Sequence, residues 1–116
     1  IDIVTGITNH AVMLWKQIEI NPDTSNPVTW VQIPHWEKVL EIAVRSQQAS
    51  GISYLWADIV IDKELWPVIL ELNARPWLAI QISNMEPLKS RLLKVENENP
   101  KDFQEAVNIA KNYFNK

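Results

Sequence analysis

The alternation of apolar and polar residues along the chain is clearest between residues 54 and 73. Two runs rich in Ile, Val and Leu, residues 54–62 and 67–73, are separated by the short connection 63–66. Apolar runs of this length that flank a short connection are typical of a β-hairpin. This hairpin differs from an ordinary core hairpin because both of its strands carry acidic side chains.

The acidic residues of the predicted hairpin fall on one face. We predict that Asp62 pairs with Pro67 across a four-residue loop. In that register Asp58 lies directly opposite Glu71, and Asn73 follows on the same face. Like charges directly opposite each other destabilise a ladder, whereas two carboxylates and an amide oxygen are ligands that Mg²⁺ accepts. The spacing alone leaves two interpretations, a magnesium site and a solvent-facing hairpin with ordinary acids.

The chain before the hairpin is predicted to contain two strands and a helix. Residues 1–8 and 11–20 alternate loosely between apolar and polar, which predicts two strands with a turn near residue 8. A helix is predicted to begin near residue 35 and to end at Gly51, because apolar residues recur at a spacing of 3.6 between them.

Two further helices are predicted after the hairpin. The first covers residues 84–95 and faces Leu88, Leu92 and Leu93 inward. The second is capped by Asn99 and turns one apolar stripe inward. The stripe consists of Phe103, Ala106, Val107, Ala110, Tyr113 and Phe114. Together these elements predict an α+β fold in which an antiparallel sheet packs against helices.

Composition narrows the class of protein. Hydrophobic residues make up 47% and charged residues 22% of the 116 residues, as in globular chains. The net charge of −3 without a basic cluster argues against nucleic acid as a partner. No apolar run approaches the length of a membrane span, and no signal-peptide pattern opens the chain, so we expect a soluble, cytoplasmic protein that binds no membrane. The absence of Cys excludes disulfides and thiolate metal sites.

Several segments of the sequence resemble a known family. The first hairpin strand holds Asp58-Ile-Val, the second continues into Glu-Leu-Asn-Ala-Arg-Pro at 71–76, and Ala-Ile-Gln-Ile follows at 79–82. Upstream, Asn-Pro-Asp-Thr at 21–24 and Val-Gln-Ile-Pro-His-Trp at 31–36 fit the same pattern. Together they resemble the C-terminal part of an ATP-grasp ligase, most closely the glutamate-ligase-like (RimK-related) and sugar-transfer-associated ATP-grasp proteins.

The resemblance implies roles for the polar residues of the hairpin. Asp58, Glu71 and Asn73 would hold the Mg²⁺ ions that bridge the phosphates of ATP. Asn73 and Arg75 would contact the nucleotide, and Arg75, kept extended by Pro76, would position an anion during catalysis. A salt bridge to a nearby acid is the alternative for Arg75. The implied reaction is carboxylate–amine ligation, in which ATP phosphorylates a carboxylate and an amine, such as that of glutamate, displaces the phosphate.

The resemblance also implies that residues 1–116 form one domain of a longer protein. In the family, the residues that hold the adenine and the α- and β-phosphates come mostly from sequence before the matched part. Whether the chain alone is an enzyme and which oligomer it forms stay open. A non-catalytic, tryptophan-rich binding module and a degenerate relative that no longer binds nucleotide are the alternative functions.

The glycine and tryptophan contents are unusual. The chain has 2 Gly and 6 Trp, whereas average usage would give about 8 Gly. The resemblance places tryptophan at Trp36 but glycine at the other five positions. These five are Trp15, Trp30, Trp56, Trp66 and Trp77. Either the tight turns of this chain have diverged from the family, or the sequence as written does not report these positions faithfully.

Overall fold

The computed structural model describes residues 1–75, 81 and 86–115. Within these residues the fold consists of two two-stranded antiparallel sheets and three helices. The elements in chain order are β1 (Ala11–Met13), β2 (Lys16–Ile18), α1 (Trp36–Ser50), β3 (Trp56–Asp62), β4 (Trp66–Asn73), α2 (Leu88–Val95) and α3 (Phe103–Phe114). Helix α1 packs against both strands of the β3–β4 hairpin and against α3. The predicted α+β class is confirmed.

Some of the sequence-based expectations concern residues outside the described ones. Pro76, Trp77 and Asn84 belong to this group, as do the apolar residues 78–80 and Ile82. The expectations placed on them stay predictions.

The N-terminal hairpin has its turn at a different place from the one predicted. Strands β1 and β2 are joined by a two-residue turn at Leu14 and Trp15, and the predicted turn near residue 8 is wrong. The reason is a long-range interaction: the backbone N–H of Thr8 donates to the carbonyl of Val31 at 3.0 Å, and Thr8 accepts from the backbone N–H of Trp30 at 2.7 Å. These bonds hold Thr8 extended beside residues 30–31.

Helix α1 begins and ends as predicted. The chain enters it through His35, which has a φ of 56°, and leaves it through Gly51, which has a φ of 66° and donates its N–H to the carbonyl of Gln47 at 3.1 Å. The indole N–H of Trp36 donates to the carbonyl of Ile3 at 2.8 Å, which ties the start of α1 to the N-terminal segment.

Helix α3 is capped by Asp102 and not by Asn99. The Asp102 side chain accepts a hydrogen bond from the backbone N–H of Glu105 at 2.8 Å, and the Glu105 carboxylate accepts from the backbone N–H of Lys101 at 2.7 Å. These two bonds pair one N–H of the first turn and the N–H just before the cap, so the predicted cap three residues earlier is wrong. Of the predicted apolar stripe, Val107 is buried with 4% exposure.

The inward face of helix α2 matches the prediction only at Leu88, which is half-buried. Leu92 and Leu93 are 43% and 52% exposed, so their inward placement is wrong. Arg91 instead lies over the ring of Phe114, with its guanidinium carbon 4.8 Å from the ring centroid. A cation–π contact and the packing of the arginine stem compete with leucine for the face that meets α3.

In the part of the chain that the structure describes, no helix has both the length and the hydropathy of a transmembrane span.

The conformation and surroundings of Gly6 lead to a prediction about stability. Its φ is +74°, and a Cβ built on it would lie 2.8 Å from two atoms of the Trp36 side chain. We expect Gly6→Ala to lower the free energy of unfolding by about 2–5 kcal/mol, because conformational strain and overlap with the indole add. Urea denaturation measures this loss.

The matched control is Gly51→Ala. Gly51 has a φ of +66°, but a Cβ there would meet nothing within 4 Å. Its loss should therefore be limited to the conformational term of about 1–2 kcal/mol. Equal losses for the two variants would show that contact with Trp36 does not matter.

The Asp62 carboxylate supports a prediction about pH. Hydrogen bonds from the backbone N–H groups of Leu65, Glu64 and Lys63 hold its pKa below the ordinary value. The stabilisation is therefore complete above the unfolded pKa of about 4 and is lost as the pH falls through the lower folded pKa. Asp62→Asn should be less stable than the parent chain at neutral pH, and the difference should shrink below about pH 4. Unfolding measured across this range checks the prediction, and a difference that does not change with pH would contradict it.

Candidate functional site

The side chain of Asp62 shapes the loop of the β3–β4 hairpin. Its Oδ1 accepts hydrogen bonds from the backbone N–H groups of Glu64 at 2.8 Å and Leu65 at 2.9 Å. Asp62 pairs with Trp66, which has a φ of 67°, and Pro67 pairs one residue further along the ladder. The predicted pairing of Asp62 with Pro67 is therefore wrong, and the loop is one residue shorter than expected.

Leu70 is the extra residue of a β-bulge in β4. On the loop side of the bulge the strands follow the register set by the loop, and on the far side Asp58 pairs with Glu71. Leu70 itself has no partner in the register and is 68% exposed. If the loop-side register continued, Asp58 would face Leu70, and Glu71 would lie opposite Ala57 on the other face. The bulge thus restores the predicted pairing of Asp58 with Glu71.

Four side chains share the face that carries the two carboxylates. Asp58 pairs with Glu71, and the next pair on that face is Trp56 with Asn73. Asp58 and Glu71 are exposed and Asn73 is half-buried. The Oδ1 of Asn73 accepts a hydrogen bond from the backbone N–H of Arg75 at 3.0 Å, which leaves a second lone pair on that oxygen. The structure thus brings three of the four predicted site residues to one face.

Trp56 is the residue of this face that the sequence-based site did not include. Its indole N–H donates a hydrogen bond to Oδ1 of Asp58. This bond occupies a carboxylate oxygen that a cation would also use. The signal in the sequence was the spacing of two between Trp56 and Asp58, which puts both side chains on one side of the strand.

No basic side chain neutralises the Asp58–Glu71 pair within residues 1–75, 81 and 86–115. The four ion pairs found there join Lys and Arg side chains to acids elsewhere. Arg75 forms none of them, so the salt bridge considered as its alternative is not made with any of the described acids. The Arg75 side chain is exposed, and only its backbone N–H reaches the Asn73 side chain.

The donor set of this face fits a hard divalent cation. Asp58 and Glu71 supply carboxylate oxygens and Asn73 an amide oxygen, and a cation between the carboxylates would remove the repulsion of like charges in the ladder. Among the described residues, no three His, Asp or Glu side chains lie close enough together to hold a metal ion. The face would therefore leave most positions around a six-coordinate ion to water and phosphate oxygens.

A cavity of about 390 Å³ opens beside the carboxylate face. It lies between the hairpin and helices α2 and α3, and Trp56 lines it together with Tyr54, Arg91 and Phe114. Asp58 and Glu71 do not line this cavity. The carboxylate face and the cavity are therefore adjacent through the indole of Trp56, which contacts both.

Comparison with known proteins gives one result that covers most of the chain. A family model described as sugar-transfer associated ATP-grasp matches residues 1–97. Neither the curated proteins nor the solved structures contain a significant match. The matched segment includes the whole β3–β4 hairpin with Asp58, Glu71 and Asn73. The resemblance seen in the sequence is confirmed, and the chain belongs to the sugar-transfer-associated ATP-grasp family.

Proposed function

We propose that the chain supplies the magnesium and phosphate side of the nucleotide site of an ATP-grasp enzyme. In this proposal Asp58, Glu71 and Asn73 are the metal ligands. The observation that carries it is the direct pairing of Asp58 with Glu71, both exposed and without a basic partner among the described residues. Two carboxylates opposite each other destabilise a two-stranded ladder, so this pairing favours a cation between them.

The proposed reaction is the ligation of a carboxylate to an amine. ATP would phosphorylate the carboxylate, and the amine would displace phosphate from the acyl-phosphate. Bound Mg²⁺ supplies the positive charge that stabilises the transferring phosphoryl group. The contribution of this chain is to hold Asp58 and Glu71 on one face and at a fixed separation, which the ladder and the bulge at Leu70 do.

Arg75 has a separate role in the proposal. It follows Asn73 closely and is exposed, and it is unpaired among the described acids. Its planar guanidinium suits bidentate contact with phosphate or carboxylate. We assign it the positioning of a nucleotide phosphate or of the substrate carboxylate next to the metal site.

A binding module without catalysis is the second candidate, and an exposed tryptophan beside a cavity favours it. Trp56 is 37% exposed and lines the cavity of about 390 Å³ together with Tyr54. Indoles bury a large area on binding and offer an N–H to a sugar or a protein partner. A module of this kind would bind such a partner without any response to a divalent cation, so metal binding separates the two candidates.

A metal titration tests the proposed ligands. Mn²⁺, a paramagnetic substitute for Mg²⁺, should broaden the NMR amide signals of Asp58, Glu71 and Asn73 before those of other residues. Asp58→Asn should weaken this binding about tenfold or more, because a ligand is removed along with its charge. ATP added with the metal should extend the broadening to Arg75.

The matched control for this titration is Glu64→Gln. Glu64 lies in the loop of the same hairpin, and its carboxylate makes no hydrogen bond or ion pair with the described residues. Its variant has the same change of charge as Asp58→Asn and should leave the Mn²⁺ affinity unchanged. If both variants weakened Mn²⁺ binding equally, the effect would come from net charge alone, and the proposed site would be refuted.

Trp56→Phe provides a separate prediction. The variant keeps an aromatic ring and removes the N–H that donates to Asp58. Because this hydrogen bond competes with a cation for the carboxylate, Mn²⁺ should bind about three- to tenfold more tightly. Trp15→Phe, in the other hairpin, is the control and should bind as the parent chain does. Unchanged or weaker binding in Trp56→Phe would contradict the competition.

A further inference from the structure

Three exposed tryptophans hold a backbone conformation that bulky residues avoid. The φ angles are 67° at Trp15, 60° at Trp30 and 67° at Trp66. This left-handed region is disfavoured about five- to thirtyfold for a residue with a Cβ, and only glycine visits it routinely. The side chains are 72%, 78% and 54% exposed, so burial does not hold them in this conformation.

Position 15 is the second central residue of the turn between β1 and β2. The strands pair Met13 with Lys16, so the turn has two residues, Leu14 and Trp15. Both have positive φ, 47° and 67°, which defines a type I′ turn. In the favoured sequences of this turn, Asn-Gly and Asp-Gly, the second central residue is glycine.

Position 30 is the first residue of a β-bulge. The backbone N–H of Trp30 donates to the carbonyl of Thr8 at 2.7 Å, and the N–H of Thr8 donates to the carbonyl of Val31 at 3.0 Å. Two residues of one segment therefore face one residue of the other. A bulge whose first residue has left-handed φ is the type in which that residue is glycine.

Position 66 closes the loop of the β3–β4 hairpin. Residues 63–65 form the turn, and Trp66 follows in the left-handed conformation, paired with Asp62. A turn followed by a left-handed residue is a common hairpin loop, and glycine is the residue that its left-handed position takes. The Trp66 ring stacks on the ring of His35, with centroids 4.6 Å apart, but it remains more than half exposed.

Trp36 differs from these three tryptophans because the fold holds its side chain by a hydrogen bond. It lies in α1, and its indole N–H donates to the carbonyl of Ile3 at 2.8 Å. Neither Trp15 nor Trp30 donates an indole hydrogen bond within the described part of the chain. Among residues 1–75, 81 and 86–115, the remaining non-glycine residues with positive φ are Leu14, Ser25 and His35. All three are smaller than tryptophan, and histidine is enriched in this region.

We infer that the protein made in the cell carries glycine at positions 15, 30 and 66 and tryptophan at position 36. Three different backbone geometries each favour glycine at a position written as tryptophan, and independent divergence would have to reach the same bulky residue three times. Codon meanings differ between genetic codes, so one reassigned codon would place glycine at all three positions together and leave Trp36 unchanged. The inference rests on backbone geometry and does not depend on the proposed metal site.

Mass spectrometry of the protein isolated from its natural source tests the inference directly. Peptide fragment series should show glycine at positions 15, 30 and 66 and tryptophan at position 36. Tryptophan at any of the first three positions would overturn the inference. The coding sequence provides a second readout: one codon shared by the three positions and a different codon at 36 is expected, and the same codon at all four would count against it.

Stability of the recombinant chain tests the geometry. Each of Trp15→Gly, Trp30→Gly and Trp66→Gly should lower the equilibrium constant of unfolding about two- to fivefold, since the relieved strain exceeds the greater freedom of glycine in the unfolded chain. Trp36→Gly should raise that constant, because it removes the hydrogen bond to Ile3. A triple glycine variant that is no more stable than the parent chain would overturn the geometric argument.

Discussion

The register of the β3–β4 hairpin is the constraint on which the candidate site depends. The Asp62 side chain and the left-handed residue at position 66 shape the loop, and the loop imposes one register on the adjacent pairs. The bulge at Leu70 changes that register before the strands reach Asp58 and Glu71. Because side chains alternate with a period of two, one residue decides whether two carboxylates share a face or lie on opposite sides of the ribbon.

The rest of the fold supports this hairpin mainly through helix α1. The helix packs on both strands and on α3, where the Arg45 guanidinium lies 4.5 Å from the ring centroid of Phe103 and Glu37 pairs with Lys111. Val107 and Pro67 are buried apolar side chains among the described residues. Exposed ion pairs contribute little to stability. The geometry of the carboxylate face therefore depends more on backbone pairing and turn conformation than on a deep core.

Turn conformation also carries information about residue identity. A tryptophan in a strand, such as Trp56, or at the start of a helix, such as Trp36, fits its backbone. Left-handed φ at positions 15, 30 and 66 coincides with three of the positions where the family resemblance placed glycine. The steric restriction imposed by a Cβ is independent of any alignment, so the two observations support each other.

The pairing of Asp58 with Glu71 was predicted from a loop one residue too long, and the bulge at Leu70 offsets that error. Local patterns were enough to predict the α+β class, the β3–β4 hairpin, the extent of α1 and the family. These features are encoded in short windows by periodicity, turn residues and motif. The shorter loop, the bulge at Leu70, the contact of Trp56 with Asp58 and the inward face of α2 emerged only in three dimensions. Loops that differ by one residue leave the apolar pattern of the strands unchanged, so the pattern does not determine the loop length. The inward face of a helix depends on the element that packs against it, and a local stretch of sequence does not specify that element.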